Sequence, residues 1–235
     1  MLVLFDIDMT LVRTDGAGIE ALEAAGTELF GAHVSRELAG RFRADSIAYG
    51  GRIDPVIFAE LLSVNGIEPT AGRVAALRDG YSERLPALLP GRARALPGAI
   101  DVVSAVSASE ATAGVLTGNI ERTGSAKLAA AGFDLGQFEV CVWGDDSPHD
   151  VPTRDHLPPI ALDRDAAMRG ERLDARRAVV VGDTVHDVAC ARAHGLRCLG
   201  VATGKHAADV LADAGADRVV ADLTDTEGIV SWLVN

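Results

Sequence analysis

The apolar positions of the chain fall into two rhythms. Four short runs are apolar almost without a break and end in polar or glycine-bearing turns: LVLFDID at 2–8, AGVLTGN at 113–119, EVCVWGD at 139–145 and AVVVGDT at 178–184. Unbroken apolar runs of this length suit strands covered on both faces, where no side chain alternates out to water. RCLGVATG at 197–204 and the weaker RVVAD at 218–222 have the same form, and a segment with helical spacing, 185–194, precedes the first of them. Strands separated by helical segments predict a parallel α/β sheet with right-handed crossovers.

The second rhythm fills the hundred or so residues between the first two runs. GIEALEAAGTELFG (18–31), DPVIFAELLSVNG (54–66) and AGRVAALRDGYSERLPALL (71–89) carry apolar residues at helical spacing, and no strand-like run interrupts them. They predict a helical subdomain inserted into the sheet domain. LPGRARALPG at 89–98, with two Pro-Gly pairs, marks the return to the sheet.

Composition adds exclusions. With 235 residues the chain can hold one core plus a small accessory domain, and 48% hydrophobic with 24% charged residues is an ordinary globular mixture. A formal net charge of −12 argues against a broad nucleic-acid or anionic-membrane surface, which needs clustered Lys and Arg. It does not argue against a small phosphorylated substrate, because local fields in a buried site outweigh distant screened ones. Cys141, Cys190 and Cys198 show no CxxC spacing, so they read as small core residues in a reducing, cytoplasmic setting. The chain opens on MLVLF and then Asp6 without a basic leader, which reads as a strand and not as a signal peptide. No apolar stretch approaches the roughly 20 residues of a membrane helix. Monomer and homodimer stay equally open.

Candidate chemistry sits at the ends of the runs. In an open parallel sheet, ligands bind outside the carboxyl ends of the strands, so residues just after each run can meet. Those ends supply Asp6 and Asp8, then Thr117, Gly118 and Asn119, then through a loop Arg154, and finally Asp183 with Asp187 a turn later. Two carboxylates about 4 Å apart repel by roughly 4 kcal/mol at an effective dielectric of 20, and a third adds to this. A hard cation is therefore expected to hold Asp6, Asp8 and Asp183 together, and all-oxygen ligation suits magnesium better than zinc. Asp6 can then attack phosphorus, with Asp8 protonating the leaving oxygen and later activating water. Thr117 and neighbouring N–H groups can bind phosphate oxygens, and Arg154 can neutralise the charge that accumulates on them.

LVLFDIDMT, LTGN and VVVGDTVHD, in this order, resemble the first (DxDxT), second and fourth (GDxxxD) motifs of the haloacid dehalogenase (HAD) superfamily, across essentially the whole chain. The resemblance implies a Rossmann-like core at 1–13 and 93–235 and a helical cap at 14–92 that closes over the site. It implies a Mg2+-dependent phosphatase with Asp6 as nucleophile and Asp8 as general acid/base. The implied metal ligands are Asp6, the backbone carbonyl of Asp8, Asp183 and Asp187, and Thr10 joins Thr117, Gly118, Asn119 and Arg154 around phosphate. The general layout is most similar to the phosphoglycolate phosphatase-like subgroup, and the implied partner is a small phosphorylated metabolite. Two departures stand out: Met9 occupies a position where many relatives have Gly, and the usual Lys-Pro third motif is absent between 140 and 165. Arg154 stands at the expected place, with Lys127 as the alternative cation.

Plainer assignments exist for each residue. Asp183 and Asp187 could be an N-cap and a first-turn acid, Thr117–Asn119 only a turn, and Arg154 a surface partner of Asp155 or Asp150. His149-Asp150 and His186-Asp187 invite an HD-type metal site, but both pairs follow strand-like runs, which favours surface or outlying histidines. Arg41, Arg43 and Arg52 in the insert could meet a substrate anion or simply solvate a helix face. A phosphomutase of the same superfamily, a receiver-like signalling module and a non-catalytic phosphate-binding protein of the same fold are the competing functions.

Overall fold

The computed structural model describes residues 1–34 and 41–235. Its centre is β1 (Leu2–Phe5), whose four residues are all buried. β4 (Thr112–Leu116) and β6 (Ala178–Gly182) pair with it in parallel on either side, in the registers Leu2↔Thr112 and Leu2↔Ala178. β5 (Val140–Val142) lies outside β4, and β7 (Arg197–Val201) and β8 (Arg218–Val220) continue beyond β6. The order is β5-β4-β1-β6-β7-β8, with every pair in the sheet parallel.

Alternation along each strand divides the apolar residues between two layers. Val3, Phe5, Val115, Val179 and Val181 face one core, which also takes α4 (Ala99–Ser107) and α9 (Thr226–Val234). Leu2, Leu4, Leu116, Val180 and Cys198 face the other, filled by α6 (Leu157–Arg169) and α7 (Val185–Ala193). Covering on both faces is why the strands read as unbroken apolar runs. α5 (Glu121–Ala130) and the short α8 (Ala208–Asp213) complete this unit.

The helical insert leaves and returns through a two-residue antiparallel ribbon, β2 (Val12–Arg13) with β3 (Arg94–Ala95). This ribbon was not foreseen: two residues carry no periodic signal, and β3 lies inside the segment expected as a Pro/Gly return. Between its strands run α1 (Ala17–Phe30), α2 (Asp54–Val64) and α3 (Ala71–Leu88). α1 and α3 pack side by side, and Phe58 of α2 meets Tyr81 of α3 edge-on, centroids 5.8 Å apart. Pro86 falls in the last turn of α3 and does not break it.

The strands stop earlier than the apolar runs do. β1 ends at Phe5, β4 at Leu116 and β6 at Gly182, so Asp6, Thr117 and Asp183 are each the first residue beyond a strand. Because the chain goes from β1 to β4 on one side and later returns to β6 on the other, the end of β1 is a topological switch point, where an open sheet leaves a crevice. No described helix is long and apolar enough to cross a membrane.

Candidate active site

A cavity of about 310 Å³ opens at this crevice. Asp6, Asp8, Thr117, Gly118, Asn119, Arg154 and Asp183 line it from the sheet side, and Tyr49, Arg52, Asp54, Ile57 and Tyr81 from the insert. The insert rests on the loop after β4. Asp54 donates its N–H to the Gly118 carbonyl at 2.8 Å, and its carboxylate accepts the Ile120 N–H at 3.1 Å at the start of α5. A Cβ on Gly118 would lie 1.9 Å from the Arg52 carbonyl oxygen, so only glycine allows this approach.

One wall is acidic. Asp6, Asp183 and Asp187 can each offer a carboxylate oxygen within 4.8 Å of the others, and all three are buried. Arg154, only 8% exposed, lies against them, donating through Nη2 to Asp6 Oδ1 at 3.0 Å, to the Leu116 carbonyl at 3.4 Å and to Asp187 Oδ1. Arg154 is therefore not a surface partner of Asp155 or Asp150. Its Nε is buried and makes no hydrogen bond. Burial, opposed by Arg154 and reinforced by Asp187 and Asp8, pushes the Asp6 carboxyl up to about 6. Burial and then the charges of Asp6 and Asp187 push Asp183 up to about 8. One guanidinium does not balance three acids, and an all-oxygen set of this kind fits a hard divalent cation.

The opposite wall is neutral. The Asp8 carboxylate is absent from the acidic group; its Oδ2 accepts from Lys127 Nζ at 2.6 Å and from Asn119 Nδ2 at 2.8 Å. The expectation that a cation must hold the Asp6 and Asp8 carboxylates together is thus corrected: the side chains diverge, and Lys127 neutralises Asp8. Lys127 and Arg154 face different acids, Lys127 Asp8 and Arg154 Asp6 with Asp187.

Three further site residues have partners that spacing did not indicate. Thr10 is fully buried and donates to Asp183 Oδ1 at 3.3 Å; it lies outside the cavity lining and orients an acid instead of facing phosphate. Asn119 lines the cavity, but its amide is spent on Asp8, on Thr117 Oγ1 at 3.0 Å and on accepting from Lys127 at 2.5 Å. Asp187 lies behind the cavity. Its Oδ2 takes the Thr184 N–H at 3.0 Å and the Thr184 hydroxyl at 2.6 Å in a capping box, so Thr184 and not Asp183 is the N-cap of α7.

The remaining candidates disperse. His149 lies against His156 at the surface, centroids 4.1 Å apart and rings tilted by 41°, and of the two His-Asp pairs only Asp187 belongs to the described acidic group, with no histidine beside it. Arg41 pairs with Glu23 and Arg43 with Asp45 at the exterior, whereas Arg52 reaches the cavity wall, bound to Glu60 and to the Ala48 carbonyl at 2.9 Å. Asp54 and Tyr81 also line the cavity, and no sequence motif marks either of them. Met9, at φ 62°, occupies the left-handed conformation, which favours glycine.

Comparison with known proteins agrees with this layout. The family model described as haloacid dehalogenase-like hydrolase matches residues 3–192. The chain belongs to this family. A second model, HAD-hydrolase-like, matches residues 159–226. The chain is 26% identical over 234 residues to a protein named probable phosphatase IndB from Dickeya dadantii, covering 99% of this chain and 94% of that one. Among solved structures, a predicted phosphoglycolate phosphatase from Haemophilus somnus superposes with TM-score 0.70 at 20% identity, covering 97% of this chain and 96% of that one. CbbY from Rhodobacter sphaeroides, solved with phosphate, gives TM-score 0.71 at 22% identity and covers 95% of each chain. The protein is thus an enzyme of a hydrolase family, with its acidic group and cavity at the switch point.

Proposed function

We propose that this enzyme is a magnesium-dependent phosphatase that hydrolyses a small phosphomonoester through an aspartyl-phosphate on Asp6. The observation that carries the reading is the division of the two first-motif acids around one cavity: Asp6 stands in the acidic group against Arg154, and Asp8 stands apart on Lys127. A nucleophile and a proton carrier need such different surroundings.

Asp6, Asp183 and the backbone carbonyl of Asp8 would hold the ion, with Asp187 behind them. When bound, magnesium supplies charge neutralisation for the phosphate and the crowded carboxylates. The chain's own groups do the rest. In this reading Asp8 enters the step protonated on Oδ1; Asp6 attacks phosphorus, the bond from phosphorus to the leaving oxygen breaks, and Asp8 gives that oxygen its proton and is left as a carboxylate on Lys127. Water then attacks the acyl-phosphate while Asp8 takes a proton back, releasing inorganic phosphate and restoring Asp6. Thr117, the N–H groups around Gly118 and the unpartnered Nε of Arg154 are suited to the phosphate oxygens.

Residues 14–92 serve in this reading as a cap domain on a core of 1–13 and 93–235, excluding water and supplying substrate contacts from Tyr49, Arg52, Ile57 and Tyr81. The test is phosphate release from an aryl phosphate and a panel of phosphorylated metabolites with and without magnesium. Asp6→Asn is expected to lower turnover by at least about 10⁴-fold. Retained turnover in that variant rejects Asp6 as nucleophile.

A further inference from the structure

We propose that Lys127, together with Asn119, is a positioning residue that fixes the Asp8 carboxylate on the leaving-group side of the cavity. This goes beyond the phosphatase reading and rests on it. Lys127 comes from α5, 119 residues from Asp8, yet its Nζ reaches Asp8 Oδ2 at 2.6 Å and Asn119 Oδ1 at 2.5 Å. Asn119 closes the triangle with its own donor to Asp8 at 2.8 Å and is itself held by Thr117 Oγ1 at 3.0 Å. Every bond in this set steers one carboxylate oxygen.

Lys127 and Arg154 both line the cavity and are equally buried, each side chain 7% exposed, so it is the partners that distinguish them: Lys127 is bonded to Asp8, whose side chain is 43% exposed to the cavity, and to Asn119. Asp54 and Tyr81 approach Lys127 from the insert, while Arg154 serves Asp6 on the far wall. With both Asn119 and Asp8 holding it, its Nζ has two of three donors committed. Oδ1 of Asp8 makes no described hydrogen bond and is the oxygen free to carry a proton to the departing group.

A positioning role makes a prediction that a phosphate ligand does not. Needing a proton on the departing oxygen is severe for an alkyl phosphate and slight for a nitrophenyl phosphate, whose phenolate leaves unaided. kcat/KM reports only the steps up to release of that group, so later activation of water does not enter it. Lys127→Met is expected to lower kcat/KM for an alkyl phosphate by about 10²-fold or more and for the nitrophenyl ester by less than about tenfold, with Lys127→Arg recovering part of the difference. In the Asp8→Asn background, Lys127→Met should add less than about twofold, because its target is gone.

Equal losses on both esters, or full additivity with Asp8→Asn, would instead mark Lys127 as a phosphate-binding cation and overturn the proposal, as would no loss on either. If Lys127→Met does not fold, Asn119→Ala carries the same test, with a smaller loss confined to the alkyl ester and none added to Asp8→Asn. Failure of the phosphatase reading itself is seen separately, as absence of turnover by the unaltered enzyme or persistence of turnover in Asp6→Asn.

Discussion

The two walls of the cavity solve opposite electrostatic problems. On the Asp6 side three buried carboxylates share one guanidinium, and two of them are pushed well above the usual carboxylate range. On the Asp8 side one partly exposed carboxylate is held by a lysine and an amide. The first wall gathers more acids than cations, a set that suits a cation; the second already pairs Asp8 with a cation of its own. Two acids separated by a single residue thus diverge in role because the neighbours that each one meets come from different strands and helices.

The largest expected contrast is in stability. Asp187→Ala removes a fully buried carboxylate and leaves the Thr184 N–H and hydroxyl without their acceptor and Arg154 with less compensation, so we expect a loss of about 3 kcal/mol by chemical denaturation. Lys127→Met leaves Asp8, which can rehydrate, but strips the buried Asn119 Oδ1 of its donor, and should cost less, about 1–2 kcal/mol. Equal losses would erase the distinction between the walls.

Protons sharpen the comparison next. The Asp6 and Asp183 pKa values lie above those of the unfolded chain, so without metal their contribution to stability is fully present below about pH 4 and is lost as pH rises through about 6 to 8. In the proposed reading, magnesium would compete with these protons. Its apparent affinity should therefore climb about tenfold or more from pH 6 to pH 8, and the gain in melting temperature at fixed magnesium should grow with it. A magnesium-induced shift that is flat with pH would mean that the acidic wall does not bind the ion.

The smallest effect belongs to the turn that carries the chain away from the two acids. Met9 is left-handed, at φ 62°, which costs a side chain about 1–2 kcal/mol, while the freedom of glycine in the unfolded chain returns about 0.5–1. Met9→Gly should stabilise by under about 1 kcal/mol, read as a higher denaturation midpoint. A destabilised variant would show that Met9 makes packing contacts worth more than the strain.

What the sequence determined by itself was the layer structure and the addresses of the reactive residues. Six apolar runs became six parallel strands, and Asp6, Thr117 and Asp183 follow strand ends, because burial on both faces and strand termination are local properties that a one-dimensional pattern records. The helical insert was legible for the same reason. What only the tertiary structure decided was which cation serves which acid, that Thr10 and Asn119 orient acids, that Asp54 seats the insert on Gly118, and that a two-residue ribbon joins the insert to the sheet. Those outcomes depend on hydrogen bonds spanning up to 173 residues and on side-chain directions at a shared crevice, and neither spacing nor periodicity encodes them.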